Sequence, residues 1–406
     1  MSGTLIVGAS QAGVQLAVSL REAGDIGPIA LVGAEPHQPY QRTPLSKGYL
    51  AGATDAPRLA LRTPEFYAER DIGLVTGERV TVLTAGRADT DRGRALGFDR
   101  LALTVGGRVR RLAVPGGDLE GVHHLRDRSD ADRLRAALAA ARRVVVVGGG
   151  FVGLEAAAVA SAQGASVTVV EASDRLMGRA VAPVVSEFYR RAHERRGARV
   201  LVGAAVTAIL AEDRRIRSVH LADGTELPAD LVLVGIGVAP RTELAEQLGL
   251  ACPGGIPVDR DARTALPDVV AAGDCTLQPH PTVDDAAPLR VESVQNAVHQ
   301  AKVAAAALTG APRPAPEVPW FWSDQADLKL QIAGLAAGAD EIVVRGDPGS
   351  ERFAALHYRQ GRLQAIDAVN SPADFLVVRR ALSTGTDLPA DSARRADRPL
   401  KEFLVA

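Results

Sequence analysis

Two short runs of apolar, mostly β-branched residues each end at a glycine and are followed by an apolar pattern of helical period. The runs are residues 5–7 and 144–147. Each helical pattern leads to another short apolar run, at residues 29–32 in the first case and 167–170 in the second. A strand, a glycine turn, a helix and a second strand make a βαβ unit. The pattern therefore predicts the same nucleotide-binding unit twice, about 140 residues apart.

The pattern between the two units and after the second one predicts shorter elements. Residues 81–106 are polar and carry several glycines and arginines, which predicts a β-meander that closes on a strand at 101–105. After the second unit the pattern predicts, in order, a helix, a strand, a hairpin and an apolar strand, at residues 185–196, 200–202, 223–224 and 231–236.

The C-terminal part of the chain has a different pattern. Residues 309–319 are rich in proline and show no periodicity, which is typical of a linker. Beyond it, residues 353–358 and 363–369 alternate between apolar and polar positions, with Gln360 and Gly361 between them. We therefore expect antiparallel strands in a small C-terminal domain.

Length and charge limit the classes to which the protein can belong. A chain of 406 residues exceeds the size at which a single core stops growing, about 250–300 residues, so we expect two or three domains. The 47 lysines and arginines nearly cancel the 48 aspartates and glutamates. The whole molecule then has no long-range field that would attract nucleic acid, and a charged partner must be bound by a local patch.

Cysteine usage and apolar segments indicate the compartment. The two cysteines, Cys252 and Cys275, lie far apart and have neither metal-ligand spacing nor a disulfide framework. The chain starts without a basic leader or a cleavage-site pattern. The longest apolar stretch, residues 144–162, is interrupted by four glycines and by Glu155, so it does not read as a membrane span. We expect a cytoplasmic protein that binds neither a membrane nor a metal, as a monomer or weak dimer.

The first glycine turn departs from the dinucleotide-binding fingerprint G-x-G-x-x-G at its middle position, where Ser10 replaces glycine. The small serine hydroxyl is itself able to donate to phosphate. Ala34 follows the second strand, so Glu35 is the candidate for the acidic residue that binds a ribose hydroxyl. Taken alone, this turn also fits a sheet that binds no nucleotide. The candidate residues of the turn are Gly8, Ser10, Gln11, Ala12 and Gly13.

The second glycine turn is complete and opens an alanine-rich helix. Its candidate residues are Gly148, Gly150, Phe151, Val152 and Gly153. Glu171 follows the next strand, where a carboxylate accepts hydrogen bonds from the adenosine ribose and repels a 2′-phosphate, so the pattern favours NADH over NADPH. Arg175 and Arg179 come shortly afterwards. They are either ligands of a 2′-phosphate or ordinary solvated charges.

Several further motifs, in order, give the chain a family resemblance over essentially its whole length. They are the residues at positions 39–47 (PYQRTPLSK), 104–108 (TVGGR), 148–155, 235–237 (GIG), 272–275 (AGDC), 292–297 (ESVQNA) and 319–325 (PWFWSDQ). In these motifs the chain resembles the FAD-dependent, NADH-specific ferredoxin reductases of bacterial oxygenase systems, of the putidaredoxin reductase and rhodocoxin reductase type.

The resemblance implies an α/β fold of the glutathione reductase type, with two Rossmann-like nucleotide-binding domains and a small α+β C-terminal domain. The FAD-binding domain would comprise residues 1–108 and 230–311, the NADH-binding domain residues 109–229, and the C-terminal domain residues 312–406. The implied cofactors are FAD and NADH. The further residues that would contact them are Arg42, Lys47, Val80, Arg126, Gly237, Gly273, Asp274, Val294 and Trp322.

Two residues are the candidates for a role beside the flavin ring. The resemblance implies that Lys47 reaches the isoalloxazine and pairs with Glu155, which follows the second glycine turn. A positive charge or a helix N-terminus near the pyrimidine edge stabilises a reduced, negatively charged flavin. The alternative is a surface lysine and an ordinary glutamate near a helix start. A general acid is not required, because hydride transfer is the chemistry of the cofactor.

The cysteine positions indicate how electrons leave. Disulfide reductases of related architecture need a redox cysteine pair near the first helix, and peroxide- or oxygen-reducing relatives need a cysteine near Ser46; the sequence has neither. We read Cys252 and Cys275 as structural. The expected route is single-electron transfer to an iron–sulfur ferredoxin, which would supply a haem-thiolate monooxygenase of the cytochrome P-450 class or a dioxygenase.

Other functions fit the same motifs. A rubredoxin reductase or a monodehydroascorbate reductase would differ only in its acceptor. A flavoprotein of the apoptosis-inducing-factor type would bind NADH and act through a partner, but such proteins carry a leader and a basic surface. Ferredoxins of this kind are acidic, so a reductase needs a local basic patch. Its candidates are Arg62, Arg290, Lys302 and Lys329.

Overall fold

The computed structural model describes residues 3–213, 215–281 and 286–404. Its strands, in chain order, are β1 Thr4–Val7, β2 Ile29–Gly33, β3 Ile72–Thr76, β4 Val80–Thr84, β5 Arg87–Thr90, β6 Ala95–Gly97, β7 Arg100–Leu103, β8 Gly107–Val109, β9 Val122–His123, β10 Arg143–Val147, β11 Ser166–Val170, β12 Arg199–Leu201, β13 Val206–Glu212, β14 Arg215–Leu221, β15 Glu226–Pro228, β16 Leu231–Val234, β17 Val238–Pro240, β18 Ile256–Pro257, β19 Val269–Ala271, β20 Thr276–Leu277, β21 Trp320–Gln325, β22 Leu328–Gly334, β23 Glu341–Asp347, β24 Arg352–Arg359 and β25 Arg362–Val369.

The α-helices are α1 Gln11–Glu22, α2 Pro64–Ala68, α3 Arg128–Leu138, α4 Phe151–Ala162, α5 Pro183–Arg195, α6 Glu243–Gln247, α7 Val294–Thr309, α8 Pro372–Thr384 and α9 Ala390–Ala393. No helix in the described part of the chain combines the length and the apolar character that crossing a membrane requires.

The chain forms two compact units. Unit 1 comprises Met1–Gln41, Ala56–Arg108 and Val238–Glu317. Unit 2 comprises Arg42–Asp55, Val109–Gly237 and Val318–Ala406. The segments predicted as the NADH-binding and C-terminal domains thus lie in the same compact unit, and residues 42–55 lie there as well.

Unit 1 contains a five-stranded parallel sheet in the order β19-β7-β1-β2-β3. The predicted βαβ unit is present, because β1 and β2 pair in parallel on either side of α1 in the chain. Helices α1 and α7 pack against each other, and their small and branched apolar residues form one core with β1 and β2. Strands β4, β5 and β6 form an antiparallel meander. The prediction that the strand at 101–105 closes this meander is wrong, because β7 pairs in parallel with β1.

Unit 2 repeats this plan in a second five-stranded parallel sheet, in the order β12-β11-β10-β16-β9. Strand β10 pairs with β11 and with β16. Strand β16 lies beyond the predicted domain boundary at residue 230, and its pairing places it in the second sheet. The predicted helix at 185–196 is α5, which begins at Pro183 and ends at Arg195. The predicted hairpin joins β14 to β15, which pair antiparallel.

The C-terminal part of unit 2 is an antiparallel sheet in the order β21-β22-β25-β24-β23, and α8 packs on it. Strands β24 and β25 form the predicted hairpin. Phe188 of α5 packs edge-on against Phe353 of β24, with ring centroids 5.0 Å apart, so the two parts of unit 2 share one apolar core. Two parallel sheets with helices and a small antiparallel domain confirm the predicted α/β fold class.

Arg345 of β23 anchors the residues that follow α9. Its side chain is buried, donates to the carbonyl oxygens of Ala393, Arg395 and Arg398, and lies 3.6 Å from Asp374. A buried guanidinium with several acceptors stabilises a segment, because removing it leaves three backbone carbonyl groups without this donor.

We expect Arg345→Met to loosen this segment at a local cost of about 2–4 kcal/mol. Trypsin cleavage after Arg394 and Arg395 should become at least about tenfold faster, because cleavage of these exposed sites requires local unfolding of the backbone around them. Limited proteolysis followed by mass spectrometry measures the rates. The control is Arg352→Met, at an exposed position of the neighbouring strand. Equal rates in the two variants would contradict the anchoring role.

Candidate functional site

The glycines of both turns are required by packing of the backbone. A Cβ atom on Gly13 would lie 2.1 Å from the carbonyl oxygen of Gly8, and one on Gly153 would lie 2.4 Å from that of Gly148. Gly8 and Gly148 also have positive φ values, +117° and +107°. These distances are far below van der Waals contact, so the first and third positions of each turn accept only glycine.

The middle position of each turn is different, because the protein does not fill the space beside it. A Cβ on Gly150 would meet one atom within 4 Å, at 3.9 Å. Ser10 occupies the same position in the first turn, and it is the residue before the first residue of α1, with an extended backbone and no capping hydrogen bond from its side chain. The first and third glycines thus serve the fold, while the middle position leaves the approach to the helix N-terminus open.

Helices α1 and α4 begin in a way that suits a phosphate. Neither Ser10 nor Gly150 makes a side-chain capping hydrogen bond, and neither helix has an acidic residue in its first turn. The first N–H groups of a helix need acceptors and carry a partial positive charge. Two dinucleotides would supply these acceptors through their pyrophosphates, so the residues of both turns fit FAD and NADH.

Glu171 lies next to the second turn. Its carboxylate accepts hydrogen bonds from the backbone N–H of Gly149, at 2.6 Å, and from that of Ser173, at 2.7 Å. The negative charge is therefore held at the end of β11, at the position that in this fold faces an adenosine ribose.

Arg175 and Arg179 lie between β11 and α5 and not within a helix. Arg175 donates to the carbonyl oxygen of Gly178, at 2.5 Å, and so closes its own turn. A guanidinium nitrogen of Arg179 lies near Gly237: a Cβ atom placed on Gly237 would be 3.9 Å from this nitrogen. The Arg175 side chain thus stabilises the turn that contains it, and the Arg179 side chain is directed towards the loop after β16.

The acidic candidate of the first unit is held by a tyrosine. The hydroxyl of Tyr40, which is buried, donates to the Glu35 carboxylate. The backbone carbonyl of Glu35 accepts from the N–H of Gly77. Tyr40 belongs to the motif at 39–47, but nothing in its spacing shows that it contacts Glu35.

A buried amide network supports the Gly273–Asp274 motif. The side-chain oxygen of Gln300 accepts from the Gly273 N–H, at 2.8 Å, and from the Thr276 hydroxyl, at 3.0 Å. Asn296 donates to the same oxygen, at 3.3 Å. Gly273 has a φ of +87°, so this network holds a backbone conformation that glycine favours. Sequence analysis missed Gln300, although its spacing of four from Asn296 places both on one helix face.

Helix α7 begins at Val294, after the N-cap residue Ser293. The Ser293 hydroxyl accepts from the N–H of Asn296. The predicted FAD contact Val294 is the first residue of this helix, and Val80 begins β4 in the same unit.

Lys47 and Glu155 are in contact within unit 2. The Lys47 ammonium lies 2.8 Å from Oε2 of Glu155 and donates to the carbonyl oxygen of Thr43, at 3.2 Å. Glu155 is 3% exposed. Its carboxylate also accepts from the hydroxyls of Ser46 and Ser323, each at 2.5 Å. Neither serine is predicted as a neighbour of Glu155 by the sequence pattern, because they lie 109 and 168 residues away in the chain.

Most of the remaining cofactor-site candidates in unit 2 contact other residues of that unit. Arg42 donates to the carbonyl oxygen of Arg126, at 2.9 Å. Phe151, the first residue of α4, packs against Phe321 of β21 with ring centroids 4.5 Å apart. Trp322 lies against Trp320, at 5.4 Å, and Val152 is exposed. In unit 1, Gln11, Ala12 and Gly13 form the first turn of α1.

The four docking candidates do not share one environment. Arg62 is exposed and Lys302 is half-buried on α7; neither makes an ion pair to a carboxylate within the described residues. Arg290 pairs with Glu292, at 2.8 Å, so its charge is compensated. Lys329 lies on β22 in unit 2, whereas the other three belong to unit 1.

Both cysteines are unsuited to redox exchange. Cys275 is fully buried, and burial raises the pKa of its thiol to about 12. Burial also raises the pKa of Cys252. The thiolate is the reactive form, so neither cysteine is activated at neutral pH. Within the described ranges, His, Cys, Asp and Glu residues form no group of three that could hold a metal ion.

Comparison with known proteins agrees with this geometry. Residues 3–301 match the family described as pyridine nucleotide-disulphide oxidoreductase, and residues 320–404 match the domain described as reductase C-terminal. Rhodocoxin reductase of Rhodococcus erythropolis is 43% identical over 399 residues, which are 98% of this chain and 93% of that protein.

Two solved structures are similar over nearly the whole chain. The ferredoxin reductase for the CYP199A2 system from Rhodopseudomonas palustris is 41% identical, with a TM-score of 0.95 over 99% of both chains. The covalent putidaredoxin reductase–putidaredoxin complex contains a chain that is 37% identical, with a TM-score of 0.95 over 99% of this chain and 98% of that one.

Proposed function

Because the chain belongs to the pyridine nucleotide-disulphide oxidoreductase family and carries a reductase C-terminal domain, we propose that it is an FAD-containing, NADH-dependent ferredoxin reductase. The observation that carries the proposal is the pair of uncapped helices α1 and α4, each behind a turn in which a Cβ on the first or third glycine would collide with backbone. One chain is thereby able to bind two dinucleotides.

Each unit contributes its own groups to this function. In unit 1, the first turn, Glu35 and the Gly273–Asp274 motif would bind FAD. In unit 2, the second turn and Glu171 would bind NADH, and Lys47, held by Glu155, would place a positive charge for the flavin ring. The chemistry that FAD would supply at this site is hydride acceptance from NADH followed by release of single electrons. The division into FAD-binding, NADH-binding and C-terminal domains is part of the proposal.

The proposed acceptor is a small iron–sulfur ferredoxin that supplies an oxygenase. Relatives support this choice: one is crystallised covalently bound to putidaredoxin, and another, 37% identical, is the ferredoxin–NAD⁺ reductase component of a biphenyl dioxygenase system. Burial raises the thiol pKa of both Cys252 and Cys275, which argues against electron transfer through a dithiol. Two free cysteines also suit a cytoplasmic location, which we propose with a monomeric or weakly dimeric state.

Steady-state reduction of cytochrome c by NADH tests the acceptor directly. Added ferredoxin should stimulate the rate strongly, because cytochrome c then receives its electrons through the carrier. A rate that is independent of ferredoxin would point to a different acceptor, such as rubredoxin or a small organic radical.

The docking surface gives a separate prediction. Arg62→Glu and Lys302→Glu should each raise the KM for an acidic ferredoxin several-fold and flatten its salt dependence, since charge steering is screened beyond about 10 Å at 0.1 M salt. Reduction of ferricyanide by NADH should stay near the wild-type rate. Arg290→Glu should have a smaller effect, because Arg290 is already paired with Glu292.

Arg199→Glu is the matched control, since Arg199 is an exposed arginine on the edge strand β12. An equal rise in KM for this variant would mean that net charge, and not a patch, controls docking. A parallel fall in ferricyanide reduction would instead assign Arg62 and Lys302 to the cofactor sites.

A further inference from the structure

Strand β21 contains two buried polar residues whose role the motif at 319–325 does not explain. Ser323 and Gln325 point to the same face of the strand and are 0% and 1% exposed. A buried polar side chain is costly unless it is hydrogen-bonded, so their partners indicate what they do.

These partners form a continuous chain to Glu155. His193 of α5 lies with Nε2 2.8 Å from Oε1 of Gln325, and Nε2 of Gln325 lies 3.2 Å from the Ser323 hydroxyl. The Ser323 hydroxyl donates to Oε1 of Glu155, at 2.5 Å. All four residues are buried and belong to unit 2.

The hydrogen bonds of this chain have one direction. The Ser323 hydroxyl donates its hydrogen bond to the Glu155 carboxylate, so towards Gln325 the serine oxygen must accept, and only the amide nitrogen of Gln325 is able to donate to it. The amide oxygen of Gln325 is then an acceptor for His193, which donates from Nε2. Burial lowers the pKa of His193, and a neutral ring protonated at Nε2 meets this requirement.

A second serine completes the arrangement on the other carboxylate oxygen. Oε2 of Glu155 accepts from the Ser46 hydroxyl and from the Lys47 ammonium. The Glu155 carboxylate therefore accepts from three side chains, those of Ser46, Lys47 and Ser323. Three donors on one buried carboxylate fix its orientation.

We propose that Ser323, Gln325 and His193, together with Ser46, are positioning residues that hold Glu155 as an oriented anion and thereby set the position of the Lys47 ammonium. The inference deepens the proposed function and rests on it, because the proposed role of Lys47 is to place its positive charge beside the flavin ring. When the Glu155 carboxylate loses a hydrogen-bond donor, less of its negative charge is offset by hydrogen bonds. It then attracts the Lys47 ammonium more strongly. Less of the lysine field then remains to stabilise the reduced flavin.

The test compares Ser323→Ala, Ser323→Thr and Gln325→Leu in the full-length holoprotein. At a fixed solution potential, Ser323→Ala should lower the ratio of reduced to oxidised flavin about tenfold. This factor corresponds to the free energy of one hydrogen bond to a charged group. The limiting rate of flavin reduction by NADH should fall by a similar factor, while the Kd for NADH changes less than about twofold. Gln325→Leu should act in the same direction with about a third of the effect, because Ser323 keeps its hydroxyl but loses its donor.

The conservative and control variants separate positioning from packing. Ser323→Thr keeps the hydroxyl and should restore both values to within about twofold. Ser371→Ala is the matched control, since the buried Ser371 hydroxyl also donates to a carboxylate, that of Asp374, at 3.0 Å. It should leave the potential and the rate unchanged. Bound FAD and the thermal midpoint should be equal in all soluble variants.

Three results would overturn the proposal: a wild-type potential in Ser323→Ala, an equal change in Ser371→Ala, or no recovery in Ser323→Thr. If Ser323→Ala does not fold, Gln325→Leu and Ser323→Thr decide between the same outcomes. Failure of the proposed function has a different signature, because the wild-type protein would then not be reduced by NADH or would show no ferredoxin-dependent turnover.

Discussion

Replacing Glu171 with glutamine is expected to reduce the preference for NADH over NADPH at least about tenfold. The wild-type ratio of the two kcat/KM values should be about 100, because a carboxylate about 4 Å from a phosphate costs several kcal/mol at an effective dielectric constant near 20. Solvent screening at this half-exposed position reduces that cost, which is why we expect a factor near 100 and not a larger one.

The structure explains why the charge is effective at this point. Backbone N–H groups of Gly149 and Ser173 hold the carboxylate at the end of β11, so it does not rotate away from a bound nucleotide. Glutamine has a single acceptor oxygen and no charge, so it repels a 2′-phosphate less and holds the ribose less firmly. The gain should therefore appear mainly as a lower KM for NADPH, with some loss for NADH.

Asp174→Asn provides the control for this experiment. Asp174 is an exposed carboxylate in the same segment, so its removal changes the local charge equally without touching the backbone of the second turn. An equal change in cofactor preference for both variants would show that the local field, and not a ribose contact of Glu171, selects NADH. No change in Glu171→Gln would place the ribose contact elsewhere.

Replacing Asp274 with alanine is expected to release most of the flavin. The loss of a polar contact to a buried ligand costs about 1–3 kcal/mol, which corresponds to a 5- to 150-fold weaker affinity for FAD. The network around Gln300 holds the preceding residue, Gly273, so the motif should keep its shape when the carboxylate is removed. The ratio of absorbance at 450 and 280 nm, followed by titration of the apoprotein with FAD, measures the effect.

Asp99→Ala is the matched variant, because Asp99 is an exposed aspartate of the same unit between β6 and β7. Its flavin content should equal that of the wild-type protein. Full retention of flavin by Asp274→Ala would show that the motif does not contact FAD, and loss of flavin by both variants would indicate a general effect of charge on unit 1.

The sequence alone determined the two nucleotide-binding units, because their requirements are local. Gly13 and Gly153 face the backbone carbonyl oxygens of Gly8 and Gly148, one helical turn or so earlier in the chain, so a fixed spacing predicts them. The hairpin of β24 and β25 follows from an equally local alternation and a two-residue turn. The position of Glu171 after β11 follows from the length of one βαβ unit.

Only the tertiary structure decided which residues surround Glu155 and where the shared strands belong. Ser46, Ser323 and His193 come from three distant segments, and no period in the chain connects them. Strand β7 leaves the meander, and β16 joins the second sheet, because each finds parallel partners that are far away in sequence. Such contacts depend on which surfaces pack together after the local elements form, and the energy of packing does not appear in local sequence periodicity.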